Sequence, residues 1–525
     1  MRTYSGAVPP VVLLVACAVL SLFLLDRPDF LISSDTLLPA EFVWDALHHA
    51  YAWSGFQQSR VPSIFPDLLV FAAVQAVTES WRIAMAIWVF VALGWLMAVA
   101  SWITARIAQC SGATATFAVL LLVMAVLVAA SQGFLAFAHM SDSNLDVSPY
   151  LIILLPNCHS GPFLVGLTAA AVARHATELT TVSATARVLA TIALVLLSAA
   201  MCVSDLLCIT SLLLPLTAAL VAGLSVGAVT RRTAVRVLFA AWGGGAAGWI
   251  CVQMLNRQSL PFPTRYEIEW AIVRLPTHLV GHPGMLIVVS GLALALATDA
   301  WRRGIRGWLA SFWSVFAATG ALGSLAITML LYVDAWSYRY ALPFLWWTVI
   351  LAAAELARVC DRRPLLLLRL PVAMSTAGLA VVWLSQGVHV PRLLHWMSPF
   401  ATCLQKAGLH AGLADYWVAR ETAASSDWQL QVDQLAATGA AFYWGNDQFW
   451  FAHDIHDSAR RPPYRFIVMD RLPAPQITAV YGRPDHVMMC GTTGVWVYDD
   501  SNQLYRNLER ASPSLADTFA TAPED

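Results

Sequence analysis

Asp35 stands in the run Ser33-Ser34-Asp35-Thr36, just beyond the first apolar stretch of the chain. A carboxylate at a membrane edge can act as a general base and take a proton from a hydroxyl. Asp is also a favoured N-cap, here for a helix beginning at Thr36. Both roles fit the residue. Arg60 and Arg339 are arginines among apolar and aromatic neighbours, in Arg60-Val61-Pro62 and Ser337-Tyr338-Arg339-Tyr340. A guanidinium fork matches phosphate oxygens. The other uses of such an arginine are snorkelling to headgroups or, for Arg339, pairing with Asp334.

Arg257 and Arg265 lie in the loop 256–277 and offer further positive charge. Asp142, Asn144 and Asp146 carry oxygens suited to a hard divalent ion. The same residues read as a solvated turn. His159, in Asn157-Cys158-His159-Ser160-Gly161-Pro162, can position a hydroxyl or bond locally at a helix start. Ser204-Asp205 occupies a tight turn between two apolar runs and can cap the second. His453 and His456 are spaced for zinc, but a zinc site needs a third placed ligand, and polar loop is the plainer reading. The aromatic run Phe442-Tyr443-Trp444, with Phe449-Trp450 after it, can stack on sugar faces or pack a small core.

Those residues need elements to hold them. Of the 525 residues, 58% are hydrophobic and 12% charged. An ordinary soluble chain carries about 25% charged residues, so this one cannot cover a water-facing surface of its size. The same composition excludes intrinsic disorder. Lys+Arg 31 against Asp+Glu 32 leaves net −1, with no basic field for nucleic acid.

The expected architecture is an α-helical polytopic membrane protein. Apolar runs of membrane length lie at 8–25, 81–103, 115–138, 157–173, 187–203, 206–225, 237–255, 283–298, 308–332, 341–357 and 370–388, which predicts about 11 transmembrane helices. The shorter run 64–78 carries Pro66 and Asp67 and is expected to lie on or dip into the outer face. Gly243-Gly244-Gly245 inside a span predicts close helix approach. Arg106, Arg231, Arg232, Arg302, Arg303, Arg358 and Arg363 fall in alternate connections, while Asp26, Asp142, Asp205, Glu267 and Asp334 fall in the others. The positive-inside trend then puts the N-terminus in the cytoplasm and the C-terminus outside. Leu24-Leu25-Asp26-Arg27 is a poor small-residue cleavage site, so the first run reads as an uncleaved anchor.

Three parts are expected. Residues 1–388 form the transmembrane domain, with 26–66 as a first extracytoplasmic loop. Within that loop 35–53 has apolar residues at helical spacing and predicts an amphipathic surface helix. Residues 389–511 form a small extracytoplasmic α/β domain holding the only lysine, Lys406. There a helix is expected near 413–424 and another at 475–481. Strands are expected at 440–444, 464–469, 486–490 and 495–498. Residues 512–525 read as a disordered tail. Most cysteines, among them Cys17, Cys202, Cys208 and Cys251, read as packing residues within spans. Cys403 and Cys490 share the outer domain and either pair or stay free.

The order of an acid after the first span, a surface helix, and a basic residue before a Pro-bearing segment resembles the GT-C superfamily of membrane glycosyltransferases. Ser337-Tyr338-Arg339-Tyr340 leading into Leu342-Pro343 is similar to the Arg-Tyr-x-x-Pro that opens a late helix in those enzymes. The resemblance also covers the topology: N-terminus inside, large first outer loop, many spans, outer C-terminal domain. Two departures stand out. Asp35 lies between Ser34 and Thr36 where relatives often have adjacent acids, and Arg60-Val61-Pro62 replaces Lys-Pro-Pro.

The resemblance implies transfer of a sugar from a polyprenyl-phosphate donor to a hydroxyl of a glycan, lipid or protein acceptor, outside the cytoplasm and with inversion. It implies Asp35 as base and Arg339, Arg60, Tyr340 and Arg265 as donor and phosphate contacts. Asp142, Asp146 and His159 would supply a second acid or acceptor site, with a divalent metal ion as an optional cofactor. In a bacterium the location would be the inner membrane, with the C-terminal domain in the periplasm. A lipid-linked sugar flippase or transporter and a non-catalytic assembly protein of the same architecture are the competing expectations.

Overall fold

The computed structural model of the protein describes residues 10–49, 55–57, 62–132, 148–178, 184–255, 273, 283–331, 335–361, 366–385 and 390–515. Arg60, Asp142, Asp146, Arg257, Arg265 and Asp334 lie outside the described residues.

Each apolar run contains a helix, because backbone polar groups can pair within the segment when no water is at hand. Local signals set the ends. Trp81–Ala108 starts after Ser80, whose hydroxyl accepts from the Ile83 amide, and stops at Gln109 with φ 54°. Gly112–Ser131 starts after Ser111, which accepts from the Thr114 amide.

Among the described residues, six helices are long and apolar enough to cross a bilayer: Trp81–Ala108, Gly112–Ser131, Ala184–Ser204, Arg231–Met254, Phe312–Leu331 and Ser337–Asp361. Other runs fall short for local reasons. The described part of the first run, Pro10–Leu25, has 16 residues, a rise of about 24 Å against a hydrocarbon core of roughly 30 Å. The run 206–225 divides into a turn at Ile209–Leu213 and a helix at Leu214–Ser225. Pro283–Ala310 extends past the expected end through Arg302, Arg303 and Arg306 and is broken at Gly304, φ 68°. The chain is thus an integral membrane protein by its apolar helices, with a small sheet domain at its C-terminal end.

Two features of the helix packing bear on the site. Gly244 and Gly248 press against the backbone carbonyls of Val195 and Ala199, where a Cβ would find no room, so Ala184–Ser204 and Arg231–Leu255 cross closely. One end of the bundle gathers its basic residues with acids: Arg303 and Arg358 on Asp299, and Arg106 and Arg174 on Glu178. The C-terminal domain sits at the other end.

The helix of the first loop spans Ser34–His48 and is not a surface helix. Leu37, Leu38, Phe42 and Val43 are buried, and so are Asp35, Glu41 and Asp45. Both faces are covered because the C-terminal helix Tyr416–Ser425 packs on one side and Leu69–Thr78 on another. The segment 64–78 likewise rests against the bundle, with Asp67 and Phe71 buried and Val77 exposed.

The C-terminal domain carries five strands: β1 (Ala411–Asp415), β2 (Gln431–Leu435), β3 (Phe466–Val468), β4 (His486–Cys490) and β5 (Thr493–Val497). Their order is β2-β1-β3-β5-β4. β1 runs parallel to β2 and β3, and β5 is antiparallel to β3 and β4. Adjacent residues of one strand face opposite sides. Leu413 and Ile467 join one apolar core with Tyr464 and Tyr505, while Ala414 and Phe466 join another with Val432 and Val495.

Several expected boundaries here are corrected. Residues 413–415 are strand, and the helix begins at Tyr416 after the Asp415 cap. Residues 440–444 form one bridge, Leu435 to Ala441, rather than a strand. β2 and the helix Ser501–Ala511 have no counterpart among the expectations. Of the expected tail, Ser512 and Leu515 pack on the domain: the Ser512 hydroxyl accepts from the Ala441 amide at 2.7 Å, and Leu515 is buried; residues 516–525 lie outside the described residues.

The domain is fastened to the bundle. Trp428, Phe449, Trp450 and Ile455 belong to the same apolar core as the membrane helices. Trp81 Nε1 donates to Ala424 O at 3.0 Å, and Arg82 bonds Trp396 O and Asp427. Cys403 and Cys490 form a disulfide, which decides the pairing left open above. Cys202 and Cys208 are also paired, a correction to their reading as packing residues. The tight turn at Ser204-Asp205 brings them together.

Candidate functional site

Asp35 lies in the first turn of Ser34–His48, and its side chain does not cap that helix. Ser33 is the cap: its hydroxyl accepts from the Thr36 amide, and the Thr36 hydroxyl accepts from the Ser33 amide at 2.8 Å. This reciprocal box satisfies the helix start and leaves the Asp35 carboxylate for other partners.

Those partners come from far along the chain. Arg339 Nη1 donates to Asp35 Oδ2 at 2.8 Å. Tyr416 Oη donates to Asp35 Oδ1 at 2.5 Å. Asn157 Nδ2 donates to the Asp35 carbonyl at 3.0 Å. Burial and the adjacent Asp35 carboxylate hold the Tyr416 hydroxyl well above its ordinary pKa, so it stays a donor.

Arg339 is set by the 3₁₀ turn Ala335–Ala341, which leads into Leu342–Asp361. Its guanidinium also contacts Tyr340, with Nη2 3.3 Å from the phenol oxygen and the ring centroid 5.2 Å away. Arg339 Nε is buried and makes no hydrogen bond among the described residues. A buried donor without a partner costs roughly 1–3 kcal/mol, so this N–H marks a place where an acceptor is wanted.

A second tier lies behind the pair. His159 Nδ1 is 2.7 Å from Asp205 Oδ2, which as a carboxylate accepts, so Nδ1 carries the proton. The His159 ring packs 5.1 Å from Tyr340. His159 is buried behind Tyr340 and does not line the cavity described next. Asp67 Oδ2 accepts from the Asn157 amide at 2.7 Å, and Gly161 leaves Asp67 the room that a Cβ would take. Asn157 and His159 both hold left-handed backbone, φ 58° and 68°. Non-glycine residues in that region carry strain that persists only where neighbours enforce it.

A cavity of about 430 Å³ opens over Asp35 and Arg339. Its membrane-side wall is Asp35, Leu331, Ser337, Arg339 and Tyr340. The opposite wall belongs to the C-terminal domain: Asp415, Tyr416, Trp417, Leu435, Ala436, Ala437, Phe442 and Trp444. These residues follow the carboxyl ends of the parallel strands β1 and β2, where crevices in such sheets take ligands.

Arg420 locks the two walls together. It is buried, ion-paired with Glu41 of the first-loop helix, and donates to Ser34 O at 2.5 Å and to Gly445 O. Its Nη1 also approaches Tyr416 Oη at 3.3 Å.

The structure therefore brings Asp35, Arg339 and Tyr340 to one cavity, with His159 one layer behind. Arg60, Arg265, Asp142 and Asp146 lie outside the described residues. His453 bonds the Ser458 carbonyl at 2.6 Å and sits in a polar loop. Among the described residues no group of three or more His, Cys, Asp or Glu side chains could hold a metal ion. Tyr416, Arg420, Glu41 and Asp67 were not foreseen from the sequence. The spacing Tyr416–Arg420 puts both on one helix face after an Asp cap, but nothing local ties that face to Asp35.

No protein-family model, curated protein or solved structure matches the chain.

Proposed function

We propose that this is a membrane glycosyltransferase of the GT-C kind, moving a sugar from a polyprenyl-phosphate donor to an acceptor hydroxyl in the cavity over Asp35. In this reading the apolar runs make eleven spans, some of them short. The N-terminus is cytoplasmic and the C-terminal domain extracytoplasmic, in a bacterium within the periplasm of the inner membrane.

The observation that carries the reading is the Asp35–Arg339 pair at the floor of the cavity, with Arg339 Nε buried and without a hydrogen bond among the described residues. A carboxylate and a guanidinium are the two groups that inverting transfer from a phosphate leaving group requires. Asp35 takes the proton of the acceptor hydroxyl, and the oxygen attacks the anomeric carbon. The bond from that carbon to the phosphate oxygen breaks, and its electron pair leaves with the polyprenyl phosphate. Arg339, with Tyr340 beside it, holds the departing charge.

The ion pair itself suits this sequence of events. When phosphate engages the guanidinium, including Nε, Arg339 shares its charge and Asp35 Oδ2 becomes available to the acceptor. Tyr416 keeps the other oxygen in place.

Replacing Asp35 by Asn tests the proposal. Purified wild-type and Asp35→Asn chains in nanodiscs are assayed for transfer from radiolabelled polyprenyl-phosphate sugars. A base contributes on the order of 10²–10⁴ in rate, so transfer should fall by at least about 100-fold with unchanged expression. Transfer at the wild-type rate would remove Asp35 from the chemistry and the proposal with it.

A further inference from the structure

The far wall of the cavity is aromatic in a particular way. Trp417, Phe442 and Trp444 all border it, and all three pack around Tyr416, the residue that grips Asp35. Tyr416 lies 5.1 Å from Trp417, 6.1 Å from Phe442 and 5.1 Å from Trp444, ring centre to ring centre. Arg471 stacks on Trp417 at 5.8 Å and steadies that ring. Trp444 Nε1 is buried and makes no hydrogen bond among the described residues. Asp415, the last residue of β1, adds a carboxylate to the same wall, one oxygen of which caps the following helix through the Trp417 amide at 2.9 Å.

This wall discriminates among acceptor chemistries. An acyl chain would have to sit against Asp35, Asp415 and Arg339, and would strip water from those charges without offering them a hydrogen bond. An anionic acceptor would meet two carboxylates. A sugar ring suits both halves of the surface: its C–H faces lie on flat aromatic rings, and its hydroxyls face the polar groups of Asp415 and Ser337. A volume of about 430 Å³ falls within the roughly 300–1,000 Å³ of small-ligand pockets.

We propose that Trp417, Phe442 and Trp444 form an acceptor subsite for a neutral saccharide and hold one of its hydroxyls toward Asp35. The inference rests on the glycosyltransferase reading and narrows its acceptor to a carbohydrate. It assigns the C-terminal domain a binding role, with the aromatic wall tied through Tyr416 to the base.

Binding can be read without transfer. The full chain in nanodiscs is titrated with maltotetraose, mannotetraose and chitotetraose, and with a Ser/Thr-rich peptide, by saturation-transfer NMR and tryptophan emission. At least one tetrasaccharide should bind at or below about 10 mM, and the peptide should not. Trp444→Ala should weaken that binding at least about tenfold, the equivalent of about 1.4 kcal/mol. Trp444→Phe keeps a flat face and should lose less, which guards against a variant that fails to fold. The inference is overturned if no tetrasaccharide binds, if the peptide binds in their place, or if Trp444→Ala and Phe442→Ala both bind as wild type. Absent saccharide binding with a transfer defect in Asp35→Asn sinks the subsite alone. Saccharide binding with normal transfer in Asp35→Asn sinks the catalytic reading alone.

Discussion

Replacing Arg420 by Met should loosen the C-terminal domain from the bundle. Arg420 is 2% exposed and its partner Glu41 is 2% exposed, so neither charge is screened by water. Met has similar length and fills the space without a charge. The substitution leaves the Glu41 carboxyl buried with its partner gone, a change that costs roughly 3–5 kcal/mol. It also removes the donors to the Ser34 and Gly445 carbonyls, each worth about 1 kcal/mol net. The terms overlap, so about 4–6 kcal/mol is the working figure. Against a whole-domain stability of about 5–15 kcal/mol this is a large fraction. At roughly 2–4 °C per kcal/mol for a unit of 150–250 residues, the midpoint should fall by on the order of 10–20 °C.

The assay is thermal unfolding of the nanodisc-held chain, followed by tryptophan emission and by protease cleavage of the C-terminal domain. The decisive comparison is the double variant Arg420→Met with Glu41→Leu. A buried pair replaced on both sides by apolar groups is often neutral or stabilising, so the double variant should recover most of the loss. A single variant that melts with the wild type would refute the reasoning. So would a double variant no more stable than the single.

Asp433 gives a pH-dependent expectation. It is buried in β2, and burial pushes its pKa up to about 7 even though Tyr464 Oη and Gln431 Nε2 donate to it. An unfolded Asp titrates near 3.9. Between about pH 4 and 7 the folded state therefore holds more protons, and stability falls as pH rises through that window, by on the order of 3–4 kcal/mol. Asp433→Asn should flatten this slope in denaturation series run from pH 4 to 8, and an unchanged slope would rule Asp433 out as its source. Cys403 and Cys490 close a loop with a sequence separation of 87, for which chain entropy gives about 4–5 kcal/mol. Cys403→Ser should lower the midpoint of the C-terminal domain under non-reducing conditions, and reductant should lower the wild type to match it.

The helices of this protein were legible because their cause is local. Apolar length decides that a segment forms a helix, and Ser80, Ser111 and Gln109 set ends that neighbouring residues can specify. Boundaries of the small strands were less legible, since β2 and its residues Gln431, Asp433 and Gln434 are polar yet buried, and only their partners in the sheet explain that. The reading of Asp35 as a cap failed for a specific reason. Ser33 and Thr36 form a reciprocal box that starts the helix two residues earlier, and single-residue choices among Ser, Asp and Thr are nearly equal in energy. The expectation of a surface helix failed because periodicity shows which face is apolar, not what covers the other face.

By itself the sequence determined a helical membrane body, a polar C-terminal domain, and the presence of a carboxylate and an arginine beside apolar segments. Tertiary structure alone decided that Asp35 meets Arg339 across 304 positions and Tyr416 across 381. Pattern and propensity act over a few turns of chain, whereas contacts of that separation depend on how helices pack and on where the last domain comes to rest. The same packing buried Glu41 against Arg420 and closed the cavity between the two walls.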